Sequence, residues 1–121
     1  MKLAGNTFIV TGGASGLGEA TVRMLHAADA NIMVADLNSE RGEALVAELG
    51  DRIVFKRTNV ADEVDAQATI DATIECFGGV QGLVNAAGIG NAARVVGKNG
   101  PHVLADFNRT IQINLIGTYN M

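Results

Sequence analysis

The chain has 121 residues, of which 48% are hydrophobic and 18% charged, and its formal net charge is -4 at pH 7. This balance is typical of one globular domain and excludes a disordered chain, while the negative charge argues against a surface for nucleic acid or anionic membrane. No apolar run reaches the roughly 18 residues that cross a bilayer, and the single cysteine, Cys76, allows no intrachain disulfide, so we expect a soluble protein of the reducing cytoplasm.

Four short apolar runs alternate with helical patterns along the chain. The predicted strands are residues 6–10, 31–35, 52–57 and 82–85. The predicted helices are residues 16–28, 41–49, 62–77 and 103–121. Asn38 or Ser39 suits the N-cap of the second helix, Asp62 suits that of the third, and Gly50 suits the C-cap of the second. Residues 89–101 have no clear period and hold the only proline, so we expect a loop there.

Helical spacing of apolar residues predicts which sides of the later helices pack. In the third helix the residues expected to be buried are Val64, Ala68, Ile70, Ile74 and Phe77. In the last helix one side carries Leu104, Phe107, Ile111, Leu115 and Thr118.

The alternation of strands and helices predicts an α/β fold, a doubly wound (Rossmann) parallel sheet with right-handed crossovers. In this arrangement the strands present lie in the order 3-2-1-4, and a crevice opens between strands one and four. We expect residues 1–121 to form the N-terminal part of a single dinucleotide-binding domain, ending before its later strands.

A glycine-rich loop lies at that crevice. Thr11-Gly12-x-x-x-Gly16-x-Gly18 directly follows a predicted strand and opens a predicted helix. Glycines allow a sharp turn and a close approach of the backbone to another group. The first turn of the helix adds unpaired N–H groups and the positive end of its dipole, so the stretch predicts a phosphate site. No lysine follows Gly18, which argues against a nucleoside-triphosphate loop.

Asp36 ends the second predicted strand. Its carboxylate can accept hydrogen bonds from an adenosine ribose, and its charge repels a 2′-phosphate. No arginine or lysine lies in the glycine loop or directly after Asp36 to hold such a phosphate. These residues favour NAD over NADP. The alternative is a purely structural glycine turn, with Asp36 as a solvated helix cap.

Three motifs in order give the chain a resemblance to a known family. The glycine loop, Asn85-Ala86-Ala87-Gly88 and Asn114-Leu115-x-Gly117 resemble motifs of the short-chain dehydrogenase/reductase family. The stretches 98–102, 106–107 and 113–118 are similar to its type 2 3-hydroxyacyl-CoA dehydrogenase branch. The resemblance implies an NAD-dependent oxidoreductase that converts 3-hydroxyacyl-CoA to 3-ketoacyl-CoA. It also implies an acyl-CoA substrate and a homo-oligomer, a tetramer in the full-length family.

The resemblance also implies roles for individual residues. Those that would bind the cofactor's phosphates, riboses and adenine are Gly12, Ser15, Gly16, Leu17, Gly18, Asp36, Asn59, Val60, Asn85, Ala86, Ala87 and Gly88. Asn114 matches the catalytic asparagine, which bends its helix and holds a water in a proton relay. The alternative for Asn114 is a polar residue that packs the helix.

The serine and the Tyr-x-x-x-Lys pair that the family uses to move the hydroxyl proton are not found in this sequence. Its only serines are Ser15 and Ser39, and its one tyrosine is Tyr119. We therefore expect an N-terminal half that is inactive alone, with an unpaired edge at strand four that favours self-association. A non-catalytic NAD-binding module, or a dehydrogenase of a steroid or another secondary alcohol, are the alternatives.

The remaining polar residues give weaker signals. His26 and His102 are far apart in the sequence and lack the spacing of metal ligands, so we expect no metal site. Arg94 and Lys98 are either part of a solvated loop or contacts for the phosphates of coenzyme A.

Overall fold

Four parallel strands form the centre of the computed structural model, which describes residues 2–121. They are β1 (Thr7–Thr11), β2 (Asn31–Asp36), β3 (Ile53–Arg57) and β4 (Gly82–Asn85). Their order across the sheet is β3-β2-β1-β4, and all three pairings are parallel. The predicted α/β fold and strand order are confirmed.

Helices connect the strands. They are α1 (Gly16–Ala27), α2 (Ser39–Leu49) and α3 (Glu63–Phe77), and a final helical run consists of α4 (Leu104–Ile111), a π-helical segment (Gln112–Ile116) and α5 (Gly117–Asn120). Side chains cap two of them at their N-termini, since Asn38 accepts from the Arg41 N–H and Asp62 accepts from the Val64 and Asp65 N–H groups. Among residues 2–121, no helix combines the length and hydropathy needed to span a bilayer.

The core has two parts because alternate strand residues point to opposite faces of the sheet. One face buries Phe8 and Val10 of β1 against Val22 and Leu25 of α1 and Leu45 of α2. The other face buries a smaller cluster of Ile9, Met33 and Ala35. Ile70 and Ala72 of α3 pack against this cluster. Coverage on both faces explains why the strands are continuous apolar runs.

The predicted buried side of α3 is partly wrong. Val64 is 76% exposed and Ile74 is 47% exposed. The structure instead buries small residues: Ala66, Thr69 and Thr73. Thr69 and Thr73 each donate to the backbone carbonyl four residues earlier, and the Thr69 hydroxyl lies 2.8 Å from that of Thr58 after β3. These buried hydroxyls are satisfied locally, so small residues pack on the sheet beside Ile70, which was correctly predicted on this side.

The segment predicted as a loop at 89–101 contains a short hairpin. Strands β5 (Val96–Gly97) and β6 (Gly100–Pro101) pair antiparallel, with Gly97 opposite Gly100. Lys98 and Asn99 form the two-residue turn, and Gly100 takes a φ of +113° that favours glycine. Strands of two residues are too short to leave an alternating pattern in the sequence.

The predicted helix at 103–121 is interrupted by the π-helical segment, which periodicity does not reveal. The side carrying Leu104, Phe107 and Leu115 is exposed. Strand β4 pairs with β1 alone among the described strands, and Leu83 on it is also exposed. In residues 2–121, one side of the last helical run and Leu83 on the open edge of β4 are therefore both apolar and exposed.

We predict that Gly42→Ala lowers the stability of the fold. A Cβ at Gly42 in α2 would overlap the ring of Phe55 on β3. At a solvent-exposed position inside a helix, replacing glycine by alanine stabilises the fold by about 1 kcal/mol. Overpacking of a core instead destabilises the fold by about 1–3 kcal/mol. Urea unfolding should show a loss that shrinks when Phe55→Leu is made in the same chain. An increase in stability for Gly42→Ala alone would contradict the packing of α2 on β3.

Candidate functional site

A cavity of about 410 Å³ opens over the carboxyl ends of the strands. Its walls come from the segments that end or follow all four strands of the sheet, namely 12–18, 35–37, 58–60 and 86–89, and from Arg109 and Ile113 of the last helical run. The carboxyl edge of a parallel sheet, at the point where the strand order reverses, is where ligands bind in such folds. The volume is within the range of small-molecule and cofactor sites.

The structure brings almost all of the predicted cofactor residues to this cavity. Those that line it are Gly12, Ser15, Gly16, Leu17, Gly18, Asp36, Asn59, Val60, Ala86, Ala87 and Gly88. Asn85 does not line it, because its Nδ2 donates to the Thr118 carbonyl at 3.3 Å. Asn114 is also outside the lining and acts on it through Ile89.

The glycine loop is held against the loop that follows β4. Gly12 has a φ of +63°, and a Cβ there would lie 2.8 Å from the Cα and N of Ala87. A Cβ at Gly18 would overlap the Gly12 carbonyl oxygen. Gly16 has a φ of +54° but open space around it. Close approach therefore requires glycine at 12 and 18, whereas backbone conformation alone favours it at 16.

Asp36 connects the end of β2 to the glycine loop. Its Oδ2 accepts from the Ala14 N–H at 3.0 Å and its Oδ1 from the Asn38 N–H at 2.9 Å. Asn38, and not Asp36, caps α2. The carboxylate is thus fixed at the cavity wall, and each oxygen keeps lone-pair capacity for a ligand hydroxyl.

Thr11 joins the two sides of the crevice and received no role in the sequence analysis. Its buried Oγ1 accepts from the N–H groups of Ala86 and Ala87, both at 3.1 Å. This hydroxyl holds the start of the loop after β4 at the end of β1. The signal available in the sequence was its position directly before Gly12 in the glycine motif.

Asn114 lies within the π-helical segment and anchors the loop after β4. Its Oδ1 accepts from the Ile89 N–H and its Nδ2 donates to the Ile89 carbonyl, both at 2.8 Å. The Asn114 carbonyl accepts from the Thr118 hydroxyl at 2.8 Å. Single-turn π segments occur often at functional sites. The side chain packs the helix to the loop, and through Ile89 it shapes the cavity.

The end of the same helical run contacts the segment after β3, which forms another wall of the cavity. Asn120 Nδ2 donates to the Val60 carbonyl at 2.8 Å. Gly117 packs so closely on Val60 that a Cβ would lie 2.5 Å from its Cγ2. One run of helix thus fixes the segments after both β3 and β4.

The lining also includes residues for which no role in the site was predicted from the sequence. They are Ala35, Leu37, Thr58, Ile89, Arg109 and Ile113. Leu37 and Thr58 follow strands directly, so their position was a usable signal. Arg109 and Ile113 share no such motif, but they lie four residues apart just before Asn114 and therefore face the same way from the helix.

A family model described as short chain dehydrogenase matches residues 6–121. The chain belongs to the short-chain dehydrogenase family. This is a family of oxidoreductases that use nicotinamide cofactors, and the family resemblance inferred from the three motifs is confirmed.

Similar short-chain dehydrogenases carry different substrate names. The chain is 42% identical to a 2,5-dichloro-2,5-cyclohexadiene-1,4-diol dehydrogenase of Sphingobium indicum over 117 residues, 97% of this chain and 46% of that protein. It is 42% identical to a 3-hydroxyacyl-CoA dehydrogenase type-2 of Drosophila melanogaster over 115 residues, 93% of this chain and 45% of that protein.

A solved structure supports the same assignment. The 3-hydroxyacyl-CoA dehydrogenase type-2 of Mycobacterium avium superposes with a TM-score of 0.86 at 44% identity, covering 96% of this chain and 46% of that chain. The chain therefore spans about half the length of the short-chain dehydrogenases that it matches.

We predict that Gly12→Ala damages the site far more than Gly16→Ala. Both positions have positive φ and share a strain of about 1–2 kcal/mol for alanine, but only Gly12 would also collide with the Ala87 backbone. Thermal unfolding should show the larger loss for Gly12→Ala, and its amide exchange should rise in the loop after β4. Equal losses for the two variants would contradict the observed contact between the loops.

Proposed function

We propose that this chain forms the nucleotide-binding part of an NAD-dependent short-chain dehydrogenase. The observation that carries the proposal is that the glycine loop, Asp36 and the loop after β4 line one cavity. Such a cavity presents an anion site and a carboxylate on neighbouring strand ends, which is what the diphosphate and the adenosine ribose of a dinucleotide require.

The start of α1 supports a phosphate at the glycine loop. Ser15 occupies the N-cap position of α1 but makes no side-chain capping hydrogen bond. An N-cap serine ordinarily satisfies one of the free N–H groups of the first turn. Here the hydroxyl and the first-turn N–H groups of Gly16, Leu17 and Gly18 stay available to an anion. When bound, the nicotinamide group would accept the hydride of the alcohol.

The charge at Asp36 supports NAD over NADP. Its carboxylate is held by the Ala14 and Asn38 N–H groups at the wall that would face the adenosine ribose. A 2′-phosphate would meet a like charge there, whereas a 2′-hydroxyl would donate to it. Asn59 and Val60 would flank the adenine.

We further propose that the full-length protein oxidises 3-hydroxyacyl-CoA to 3-ketoacyl-CoA, the activity in the name of several relatives. Asn114 would position the reacting region, because both polar atoms of its side-chain amide are bonded to Ile89 and hold this helix against the loop after β4. By the family resemblance it would also hold a water in the proton relay. The diol dehydrogenase of equal identity favours a second candidate class, another secondary alcohol. A non-catalytic NAD-binding module stays the third.

Self-association and a cytoplasmic location complete the proposal. The exposed apolar side chains Phe107, Leu115 and Tyr119 and the open edge of β4 support a homo-oligomer. Sedimentation velocity would test it. The cytoplasm remains a prediction from the single cysteine, Cys76.

Titration with NAD and NADP tests the cofactor. We expect tighter binding of NAD, and a loss of about 10-fold in NAD affinity for Asp36→Ala because a charged hydrogen bond to the ribose disappears. Asp36→Asn keeps an acceptor and removes the charge, so it should narrow the preference for NAD over NADP. The control is Glu40→Ala, an exposed carboxylate in α2 outside the cavity. Unchanged NAD binding in Asp36→Ala would overturn the assignment of this residue.

Activity is the second test. Residues 1–121 contain no Tyr-x-x-x-Lys pattern, so we predict that this chain binds NADH without turning over acetoacetyl-CoA. Binding is followed by the fluorescence of the nicotinamide and turnover by its absorbance. Robust turnover would contradict the expected dependence on the tyrosine and lysine pair, and a lack of binding would contradict the proposed function itself.

A further inference from the structure

The cavity has an uneven distribution of charge. Among residues 2–121, Asp36 and Arg109 are the only charged side chains that line it. Both carboxylate oxygens of Asp36 accept backbone N–H groups, at 3.0 and 2.9 Å. Within the described chain Arg109 forms no ion pair, not even with Asp106 one turn earlier, and its guanidinium makes no side-chain hydrogen bond. Arg109 is thus a cation that faces the cavity without a protein partner.

Arg109 is also carried by a fixed part of the fold. It lies four residues before Ile113, which lines the same cavity, and five before Asn114. The two hydrogen bonds of Asn114 to Ile89, both 2.8 Å, hold this run of helix against the loop after β4. The backbone that presents the guanidinium is therefore set relative to the cavity wall, and only the side chain needs to be ordered on binding.

We infer that Arg109 binds the diphosphate of the nucleotide in this cavity. The inference rests on the proposed function. A dinucleotide diphosphate brings about two negative charges, Asp36 adds a third, and the N-terminus of α1 supplies roughly half a positive charge. By this count the loaded site carries about 2.5 negative charges without Arg109 and about 1.5 with it, so Arg109 lowers the excess of negative charge. A guanidinium presents paired donors that match two phosphate oxygens, and it is less strongly hydrated than an ammonium group.

In this assignment the glycine loop and Arg109 make different contributions to binding the diphosphate. The glycine loop offers backbone N–H groups and the Ser15 hydroxyl, whose geometry suits one phosphate group but whose charge is only partial. Arg109 supplies the full positive charge from a part of the chain about 90 residues further on. It is a binding residue for the cofactor and not a substitute for Asp36, which would contact the ribose.

Binding of adenosine, ADP-ribose, NAD and NADP to Arg109→Gln tests the inference. We expect ADP-ribose and NAD to bind about 10-fold more weakly to the variant, as for the loss of one charged hydrogen-bonding contact. The affinity for adenosine should not change. Binding of ADP-ribose and NAD should depend more steeply on salt concentration in the parent chain than in the variant. Arg109→Lys should restore part of the affinity. The matched control is Arg57→Gln, an exposed cation at the end of β3 that does not line the cavity.

The outcomes separate this inference from the proposed function. If the parent chain binds none of the nucleotides, the proposed function fails and the inference with it. If the parent binds NAD and Arg109→Gln binds ADP-ribose equally well, the inference alone is overturned. A matching loss for adenosine would overturn it in favour of a contact to the base. A loss of affinity confined to NADP would overturn it in favour of a contact to the 2′-phosphate. An equal loss for Arg57→Gln would overturn it in favour of a non-specific effect of the protein's net charge.

Discussion

The site depends on the contact between the end of β1 and the loop that follows β4. Gly12 approaches Ala87 so closely that no side chain fits between them, and the buried hydroxyl of Thr11 accepts the N–H groups of Ala86 and Ala87. This junction brings a loop with free N–H groups and a second loop 75 residues further on to one edge of the sheet. A side chain at position 12 would separate them, so the cavity exists because the smallest residue occupies the closest point of contact.

The last helical run holds the other walls in place by means of side-chain amides. Asn114 bonds both polar backbone atoms of Ile89, and Asn120 bonds the Val60 carbonyl. These bonds satisfy backbone groups in the segments that follow β4 and β3, where the sheet supplies no partners. Because the two asparagines belong to one continuous helical run, the segments after β3 and β4 are fixed relative to each other.

The features that could be predicted from the sequence are those set by local chemistry. Continuous apolar runs with helices between them specify a parallel sheet, and glycines directly after a strand specify a loop at its carboxyl edge. Arg109 could not be predicted in the same way, because its role depends on which side of α4 faces a cavity made by other elements. The buried side of α3 was missed for a related reason: Thr69 and Thr73 pack as small side chains whose hydroxyls bond to their own helix, while Val64 is exposed. Packing on this side of α3 depends on side-chain size and hydrogen bonding as well as on hydrophobicity, because Ile70 and Ala72 also pack there.

Under the proposed function, we expect nucleotide binding and substrate choice to depend on different parts of the fold. Two relatives with different substrates in their names are each 42% identical to this chain, over nearly the same stretch. Identity in this stretch therefore does not distinguish the two substrate classes, and under the proposed function the shared requirement is the dinucleotide. The described cavity agrees with this, because its walls are strand ends, a glycine loop and backbone held by asparagines, with one cation and one carboxylate. Under the proposed function, such a surface would recognise phosphates and a ribose through N–H groups and charge. We therefore expect selection among alcohols to depend on groups outside this cavity.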